Sequence, residues 1–471
     1  MDGQPISLGT IVIAVVAVVV LVDLLRRMIR REDDVFLRRV LLLGILAKAV
    51  GTYLRYGVMQ DLYGSGDFRR YLRNGSEIAD QLLSGQWPEE AGQLGTPFMD
   101  LIAGFVFTVL PRTLLAGFVF FSALSFIGAY LFFLAFRTAV PDGDHRRYAV
   151  LIFLVPTMVF WPSSIGKEAW LVFTLGVGAY GAARLLRRLR YGYLLTAIGI
   201  VGMFVVRPHM GALFSLALAG AFLLRFRDPT VKKSTIAWIV GLVFVGFGAG
   251  LVATNFGDEL PRDESVEGTT TDQIFAETER RTTTGGGAFD SRPVRTPADL
   301  GHAVLTVPFR PFPWEGHNLQ ARIAGLEGLV LLLIVLFSLP RLLALPTRML
   351  RQPYVAMATV YTLGFIVAFS NVGNFGILTR QRAQLIPLLL VLVCLPPLGE
   401  KLRQRSATPV LIEAGHPATA STGPGASTGT LVLPDTDTRA EATETWLVAD
   451  IDTDVGSKFS RHRRSRRSAP R

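Results

Sequence analysis

The sequence has a single cysteine among its 471 residues, Cys394, and that cysteine lies in an apolar run. A lone cysteine excludes an intramolecular disulfide and a cysteine-based metal site. The HExxH, GxSxG and Walker patterns are also missing, so hydrolase and nucleotidase chemistry has little support. No internal repeat is visible, which argues against the transporter folds built from inverted repeats. The function must therefore be sought in other patterns.

Charged residues are scarce over long stretches, such as residues 8–25, 114–136 and 235–253. Half of the chain is hydrophobic, and the mean hydropathy is +0.40. These runs approach the roughly 20 residues that span a bilayer, and they are continuous rather than alternating. Only helices and closed barrels satisfy the backbone in hydrocarbon. The sequence therefore predicts an all-α fold, a polytopic transmembrane helical bundle.

About eleven spans are predicted, with the N-terminus outside and the C-terminus in the cytoplasm. Lys and Arg concentrate in cytoplasmic loops. The connections that contain "RRMIRRED", "RTAVPDGDHRR" and "RLLALPTRMLRQ" are therefore predicted to lie in the cytoplasm. The apolar stretch at 98–110 is short and is followed by Pro111, so we expect it to dip into the membrane or to cross it only halfway. The predicted spans are 8–25, 40–58, 114–136, 148–162, 168–185, 193–206, 211–224, 235–253, 326–339, 354–370 and 385–398.

The formal net charge of +11 and the pI of about 10.0 would suggest a nucleic-acid partner in a soluble protein. Here the bias of Lys and Arg toward cytoplasmic loops explains the charge, so no nucleic-acid partner is expected. The first span is preceded by Asp2 and by no basic residue, so a cleaved signal peptide is not expected. The predicted location is the cytoplasmic (inner) membrane, as a multi-pass protein.

Two predicted regions make up the chain. Residues 1–403 form the membrane domain, with long external loops at about 59–97 and 254–322. Residues 404–471 are rich in Ser, Thr, Ala, Pro and Gly and are predicted to be a disordered cytoplasmic tail. The tail ends in "SRHRRSRRSAPR", which would contact anionic membrane lipids, and it could recruit envelope-assembly proteins.

Charged residues from separate segments meet at the predicted outer face. "FWPSSIGKEAW" places Lys167 and Glu168 between two apolar runs, and "VVRPHMGA" adds Arg207 and His209. Charge near membrane depth usually marks function, so a cavity open to the outside is predicted. The other segments contribute Arg380 and Arg382 from "SNVGNFGILTRQRAQ", and Asp61, Asp67, Arg69, Arg70, Arg310, Trp314 and Glu315 from the two long loops.

Each group also has a plain structural explanation. Lys167–Glu168 could begin an interfacial helix, with the lysine reaching toward the headgroups. Residues 207–209 could merely separate two spans, and Asp67 could be a solvated loop residue. The arginines of residues 380–382 could be topology charges, although few positive charges are expected on that side. The joint occurrence of these groups on one face favours a site.

Several cations on one external face suit a diphosphate, because arginine offers bidentate contacts to phosphate oxygens. In glycosyl transfer the departing diphosphate gains charge, which fixed cations stabilise. The acceptor hydroxyl must also lose its proton to a base. The candidate substrate-binding residues are Lys167, Arg207, Arg310, Arg380 and Arg382. The candidate bases are Asp67, Glu168 and His209.

The ordered set "GDFRRY", "FWPSSIGKEA", "VRPH", "FRPFPWE" and "SNVGNFGILTRQRAQLIP" resembles bacterial oligosaccharide-repeat-unit (O-antigen-type) polymerases, over residues 39–398. That family is similar to the GT-C class of membrane glycosyltransferases. The resemblance implies joining of polyprenyl-diphosphate-linked saccharides outside the cytoplasmic membrane. It implies that Arg207, Arg380 and Arg382 hold the diphosphate, and that Asp67 corresponds to the first-loop acid of GT-C enzymes. No cofactor is expected; GT-C relatives differ in whether they use a divalent metal, so metal use stays open.

Two other functions remain in competition. A transporter of lipid-linked saccharide would need a cavity reachable from both faces and cations deep within the spans. Lys48 is the only basic residue well inside an early span. A non-catalytic envelope-assembly protein would use the tail to recruit partners. Membrane topology alone does not separate these possibilities from an enzyme.

Overall fold

The computed structural model describes residues 8–63, 66–225, 287–316 and 319–397. Within these ranges the chain is mostly helical and has no β-strand, as the predicted all-α class requires. A π-helix, Val58–Tyr63, and a short 3-10 helix, Glu89–Gly92, accompany the α-helices. The α-helices are α1 Leu8–Arg30, α2 Val35–Gly57, α3 Asp67–Leu83, α4 Thr96–Val109, α5 Leu114–Ala139, α6 His145–Leu154, α7 Pro156–Phe160, α8 Lys167–Leu186, α9 Gly192–Phe204, α10 Pro208–Arg225, α11 Pro297–Thr306, α12 Leu319–Leu336, α13 Leu339–Leu342, α14 Leu345–Arg351, α15 Pro353–Ala368 and α16 Phe375–Val393.

Short polar side chains define where several helices begin. The Asp34 carboxylate accepts a hydrogen bond from the Phe36 backbone N–H at 2.8 Å at the start of α2. The Thr113 hydroxyl accepts from Ala116 at 3.2 Å at the start of α5. The Asn374 side-chain oxygen accepts from Gly376 at 2.9 Å at the start of α16. Such caps satisfy backbone donors that have no partner inside the helix, so local sequence sets these starts.

Four of the described helices are long and apolar enough to cross a membrane: α5, α8, α12 and α16. The described helices do not support the count of about eleven spans. The predicted span at 148–162 is divided before Pro156, because a residue that precedes proline is disfavoured in helical conformation and Val155 is extended. The predicted span at 193–206 forms α9, whose 13 residues are only about 20 Å long. The predicted span at 235–253 lies outside the described residues.

Helix α8 packs closely against α5 at a pair of glycines. A Cβ atom placed on Gly176 would lie 2.4 Å from the Gly128 carbonyl oxygen, so the two backbones touch there. Small residues allow this close approach between membrane helices. The two helices run in the same direction, since Gly117 lies beside Ile165 near their starts and the Arg187 guanidinium donates to the Thr138 carbonyl at 3.1 Å near their ends.

Ion pairs join the connections at one end of the bundle, which we call the paired end. These connections are the α1–α2 and α5–α6 loops and the α12–α14 region, which include the basic stretches assigned to the cytoplasm. The pairs are Glu32–Arg137 at 2.5 Å, Asp34–Arg146 at 2.9 Å, Asp142–Arg348 at 3.0 Å and Asp144–Arg341 at 3.1 Å. The start of α8 lies at the other end, which we call the cavity end.

Helix α4 begins and ends near the cavity end. The Thr96 hydroxyl at its start accepts a hydrogen bond from Lys167 at 2.7 Å, beside the start of α8. Phe107, near its other end, lies 3.3 Å from a Cβ placed on Gly117, close to the start of α5. The helix therefore does not run through the bundle to the paired end.

Two predicted regions fall largely outside the described residues. The second long loop is described only at 287–316 and 319–322, and the tail at 404–471 is not described. The predictions of a long external loop at 254–322 and of a disordered tail therefore stay predictions.

Candidate functional site

A cavity of about 640 Å³ lies at the cavity end. Its wall includes residues of α2, α3, α12 and α16, the first residues of α8, and the two turns that precede α8 and α10. Four cationic and two anionic side chains line it, which leaves a formal charge of +2. These six residues are Arg55, Asp67, Lys167, Glu168, Arg207 and Arg380. Apolar and aromatic side chains complete the wall, among them Met59, Phe68, Trp161, Ile165 and Phe375. The composition suits an amphiphilic anion.

The α3 segment delivers Asp67. Gly66 has a φ of 149°, a conformation that other residues rarely adopt, and it turns the chain so that α3 begins at Asp67. The Asp67 side chain is exposed at the cavity, and it forms no ion pair or hydrogen bond with another described residue. Its carboxylate is therefore available to a ligand.

The charges that interrupt the apolar stretch around residue 167 both have partners at the cavity. The Lys167 ammonium donates to the Thr96 hydroxyl at 2.7 Å, which uses one of its three N–H groups. Glu168 forms an ion pair with Arg207, with 3.3 Å between Oε1 and Nη2. A lysine and a glutamate that merely anchored a helix at the interface would not need these contacts. The expectation that Lys167 and Glu168 lie close to Arg207 is confirmed.

Arg207 is held between two segments. Its Nη1 donates to the side-chain oxygen of Gln381, and its Nη2 faces Glu168. The Gln384 amide donates to the same Gln381 oxygen at 2.7 Å, which fixes that acceptor. The turn before α10 is thereby tied to α8 and α16, so the orientation of the guanidinium is set before a ligand binds.

Arg380 differs from Arg207 in being unengaged by the described residues. It lines the cavity and forms no ion pair or hydrogen bond with another residue of the described ranges. Its charge acts on both Glu168 and Arg207. An arginine with five free donors beside a fixed one makes a suitable anion clamp.

Three predicted site residues do not line the cavity. Arg382 is 1% exposed and its Nη2 donates to the Arg310 carbonyl oxygen. Residues two apart on a helix point about 200° away from each other, so Arg380 and Arg382 cannot both face the cavity. Arg310 itself pairs with Glu315 at 2.7 Å. His209 lies beside Phe369, with 6.1 Å between ring centroids and the two rings tilted by 60°. The expectation that these residues face the cavity is therefore corrected.

Arg55 lines the cavity but was not among the predicted site residues. Its guanidinium lies 4.9 Å from the Phe160 ring centroid and 4.6 Å from that of Trp161, which is cation–π geometry. The sequence did carry a signal. Arg55 lies at the predicted outer end of the second span. Few positive charges are expected on the outer side, and Arg380 and Arg382 are exceptions of the same kind.

A buried polar network supports the turn that carries Lys167 and Glu168. The Lys48 ammonium donates to the Met158 carbonyl at 2.9 Å and to the Pro162 carbonyl at 3.3 Å. The Ser125 hydroxyl donates to the same Pro162 oxygen at 2.6 Å. A charged group inside a bundle is costly unless it is engaged in this way. Lys48 thus holds one wall of the cavity in place.

Among the described residues, no three His, Cys, Asp or Glu side chains gather where they could hold a metal ion. Comparisons with protein-family models, with curated proteins and with solved structures gave no match to this chain. The chemistry of the site is therefore inferred from its own residues.

Proposed function

We propose that this chain is a membrane glycosyltransferase of the repeat-unit polymerase type, which uses polyprenyl-diphosphate-linked saccharides. The observation that carries the proposal is the convergence of Lys167, Arg207 and Arg380 with Asp67 on one cavity. These residues come from four separate segments of the chain. A diphosphate esterified by the lipid at one phosphorus and by the sugar at the other carries two negative charges, which the formal charge of +2 in the cavity complements.

The proposed orientation puts the cavity end outside the cytoplasmic membrane and the paired end in the cytoplasm, with about eleven crossings. The basic connections at the paired end support this orientation. Short helices such as α6 and α9 cross as parts of a tightly packed bundle, and α4 enters from the outer face without crossing. Non-ideal helices are tolerated at membrane depth where they are buried in protein.

The proposed reaction transfers a saccharide to an acceptor hydroxyl. The hydroxyl oxygen bonds to the anomeric carbon while the bond from that carbon to the diphosphate oxygen breaks. The diphosphate leaves with the bonding electron pair, and Arg380 and Lys167 stabilise its added charge. Asp67 accepts the hydroxyl proton, because its carboxylate is unengaged by the described residues. Glu168 instead keeps Arg207 oriented.

The decisive variant is Arg380→Lys, which keeps the charge but loses the planar fork of donors. Losing such a contact in the transition state costs on the order of 2–4 kcal/mol, a rate loss of about 30- to 1000-fold. In a strain that lacks the gene, we expect Arg380→Lys to reach wild-type levels in the membrane yet fail to restore polymer. Single lipid-linked repeat units should accumulate.

Arg146→Lys is the matched control, because Arg146 is an exposed arginine at the paired end, where its ion pair with Asp34 contributes little. It should restore polymer fully. Wild-type polymer length and amount with Arg380→Lys would remove the diphosphate clamp from the proposal.

A further inference from the structure

Tyr71 lies in the wall of the cavity and is 1% exposed. It follows Asp67 by four residues on α3, so the two side chains share one face of the helix. Its ring packs against the turn before α8, because a Cβ placed on Gly166 would lie 4.0 Å from Tyr71 Cε2. Gly166 directly precedes Lys167. A phosphate bound by Lys167 would therefore lie within reach of Tyr71.

The Tyr71 hydroxyl forms no hydrogen bond with any other residue in the described part of the chain. Buried tyrosine hydroxyls usually have a partner, since an unsatisfied polar group in the interior is costly. Two other buried tyrosines follow the rule: Tyr148 donates to the Pro387 carbonyl at 3.0 Å, and Tyr361 donates to the Gln384 carbonyl at 3.2 Å. At Tyr71 the missing partner faces the cavity, where a ligand can supply it.

The protonation state of the Tyr71 phenol suits a hydrogen-bond donor. Burial raises the pKa of Tyr71 above its usual range, and the charges of Asp67 and Glu168 raise it further, while Arg207 opposes this effect. The phenol thus keeps its proton at neutral pH, so it can donate a hydrogen bond but does not serve as the base.

We infer that Tyr71 contacts the ligand directly and that its hydroxyl donates a hydrogen bond to an oxygen of the bound diphosphate. The inference rests on the proposed function, because it takes the diphosphate as the occupant of the cavity. It adds a neutral donor to the cationic groups. A neutral donor binds the ground-state diphosphate without adding charge to a cavity that already has four cations.

The test compares tyrosine-to-phenylalanine variants of the purified full-length protein in detergent. Binding of farnesyl diphosphate and thermal unfolding are measured for each. Tyr71→Phe removes only an oxygen without a protein partner, so the unfolding temperature should be unchanged or higher. The dissociation constant should rise about 10- to 100-fold, the value of a hydrogen bond to a charged group.

Two control variants remove tyrosine hydroxyls that lie away from the cavity, so neither should weaken binding. Tyr361→Phe loses a satisfied buried hydrogen bond away from the cavity, so it should unfold at lower temperature and bind normally. Tyr354 is buried away from the cavity and its hydroxyl also lacks a partner among the described residues. Tyr354→Phe should therefore bind normally, with an unfolding temperature that is unchanged or higher.

The outcomes separate this inference from the proposed function. If the wild-type protein fails to bind farnesyl diphosphate, both are overturned. If the wild type binds, and Arg380→Lys weakens binding while Tyr71→Phe leaves it unchanged, only the role of Tyr71 is overturned. Loss of thermal stability in Tyr71→Phe comparable to that in Tyr361→Phe would assign Tyr71 to packing instead.

Discussion

At the scale of single residues, the two carboxylates of the cavity have different surroundings. Glu168 is paired with Arg207, and both side chains are mostly buried, 16% and 14% exposed. Asp67 has no such partner among the described residues. Removing one member of a buried pair leaves the other as an uncompensated charge, whereas removing an exposed carboxylate does not. Under the proposed function, the structural role falls to Glu168 and the chemical role to Asp67.

We therefore expect opposite results from two alanine substitutions. Glu168→Ala should destabilise the protein by on the order of 3 kcal/mol, because Arg207 would stay buried without its carboxylate. Asp67→Ala should leave thermal unfolding unchanged and, under the proposed function, abolish saccharide transfer. Thermal unfolding in detergent and a polymer assay in the deletion strain measure the two effects. Equal destabilisation by both variants would contradict the assigned roles.

The sequence allows some of these residue roles to be predicted and not others. Lys167, Glu168 and Arg207 each lie where an apolar run ends. Their positions in the sequence were therefore enough to predict that they lie at the same end of the bundle. The Gln381 contact of Arg207 joins residues 174 positions apart, and such pairings follow from tertiary packing alone. Arg382 lies two residues after Arg380 on α16, so helical geometry turns it away from the cavity and toward the Arg310 carbonyl.

At the scale of elements, α8 determines where the cavity charges lie. Lys167 and Glu168 are its first two residues. Its contact with α5 at Gly128 and Gly176 fixes its position along the bundle axis. The apolar runs predicted these helices, since hydrophobic length is a local property. The break before Pro156 could also have been recognised from the proline itself. The glycine contact could not, because many other glycines occur in the same runs.

Gly128→Ala should be destabilising at this crossing. A Cβ on Gly128 would lie 2.5 Å from the Val172 carbonyl oxygen, so the helices must separate, at a cost of about 1–3 kcal/mol. Gly301→Ala is the matched control on α11, where nothing lies within 4 Å of the added atom. It should be neutral or stabilise by up to about 1 kcal/mol, because alanine favours helix. Unfolding temperatures of the two variants should therefore move in opposite directions or differ clearly.

At the scale of the whole molecule, the bundle has two unlike ends. One is closed by four ion pairs between its connections, and the other contains the cavity with its positive formal charge. The lysine and arginine bias predicted which connections share an end, because that bias acts on whole loops rather than on single contacts. Among the described helices only four are long and apolar enough to span by themselves, so the count of about eleven crossings stays a proposal; hydropathy does not reveal where packing interrupts a helix.

Cysteine labelling tests the sidedness. Cys394 is fully buried, and a Cys394→Ala background removes the natural thiol. In that background Asp290→Cys, at an exposed position near the cavity end, should react with an impermeant maleimide in intact cells. Thr347→Cys, exposed on α14 at the paired end, should react only after the membrane is permeabilised. The reverse pattern would turn the cavity toward the cytoplasm and rule out an external reaction.

The length of α8 has a consequence for how a lipid-linked ligand would reach the cavity. Its 20 residues extend about 30 Å, the thickness of the hydrocarbon layer, and the cavity charges stand on its first residues. A diphosphate headgroup would therefore enter at the level it already occupies in the bilayer. The Born energy of carrying an ion into hydrocarbon, about 20 kcal/mol in the ideal limit, is never incurred. Under the proposed function, lateral diffusion within one leaflet would be the only transport step that the substrate requires.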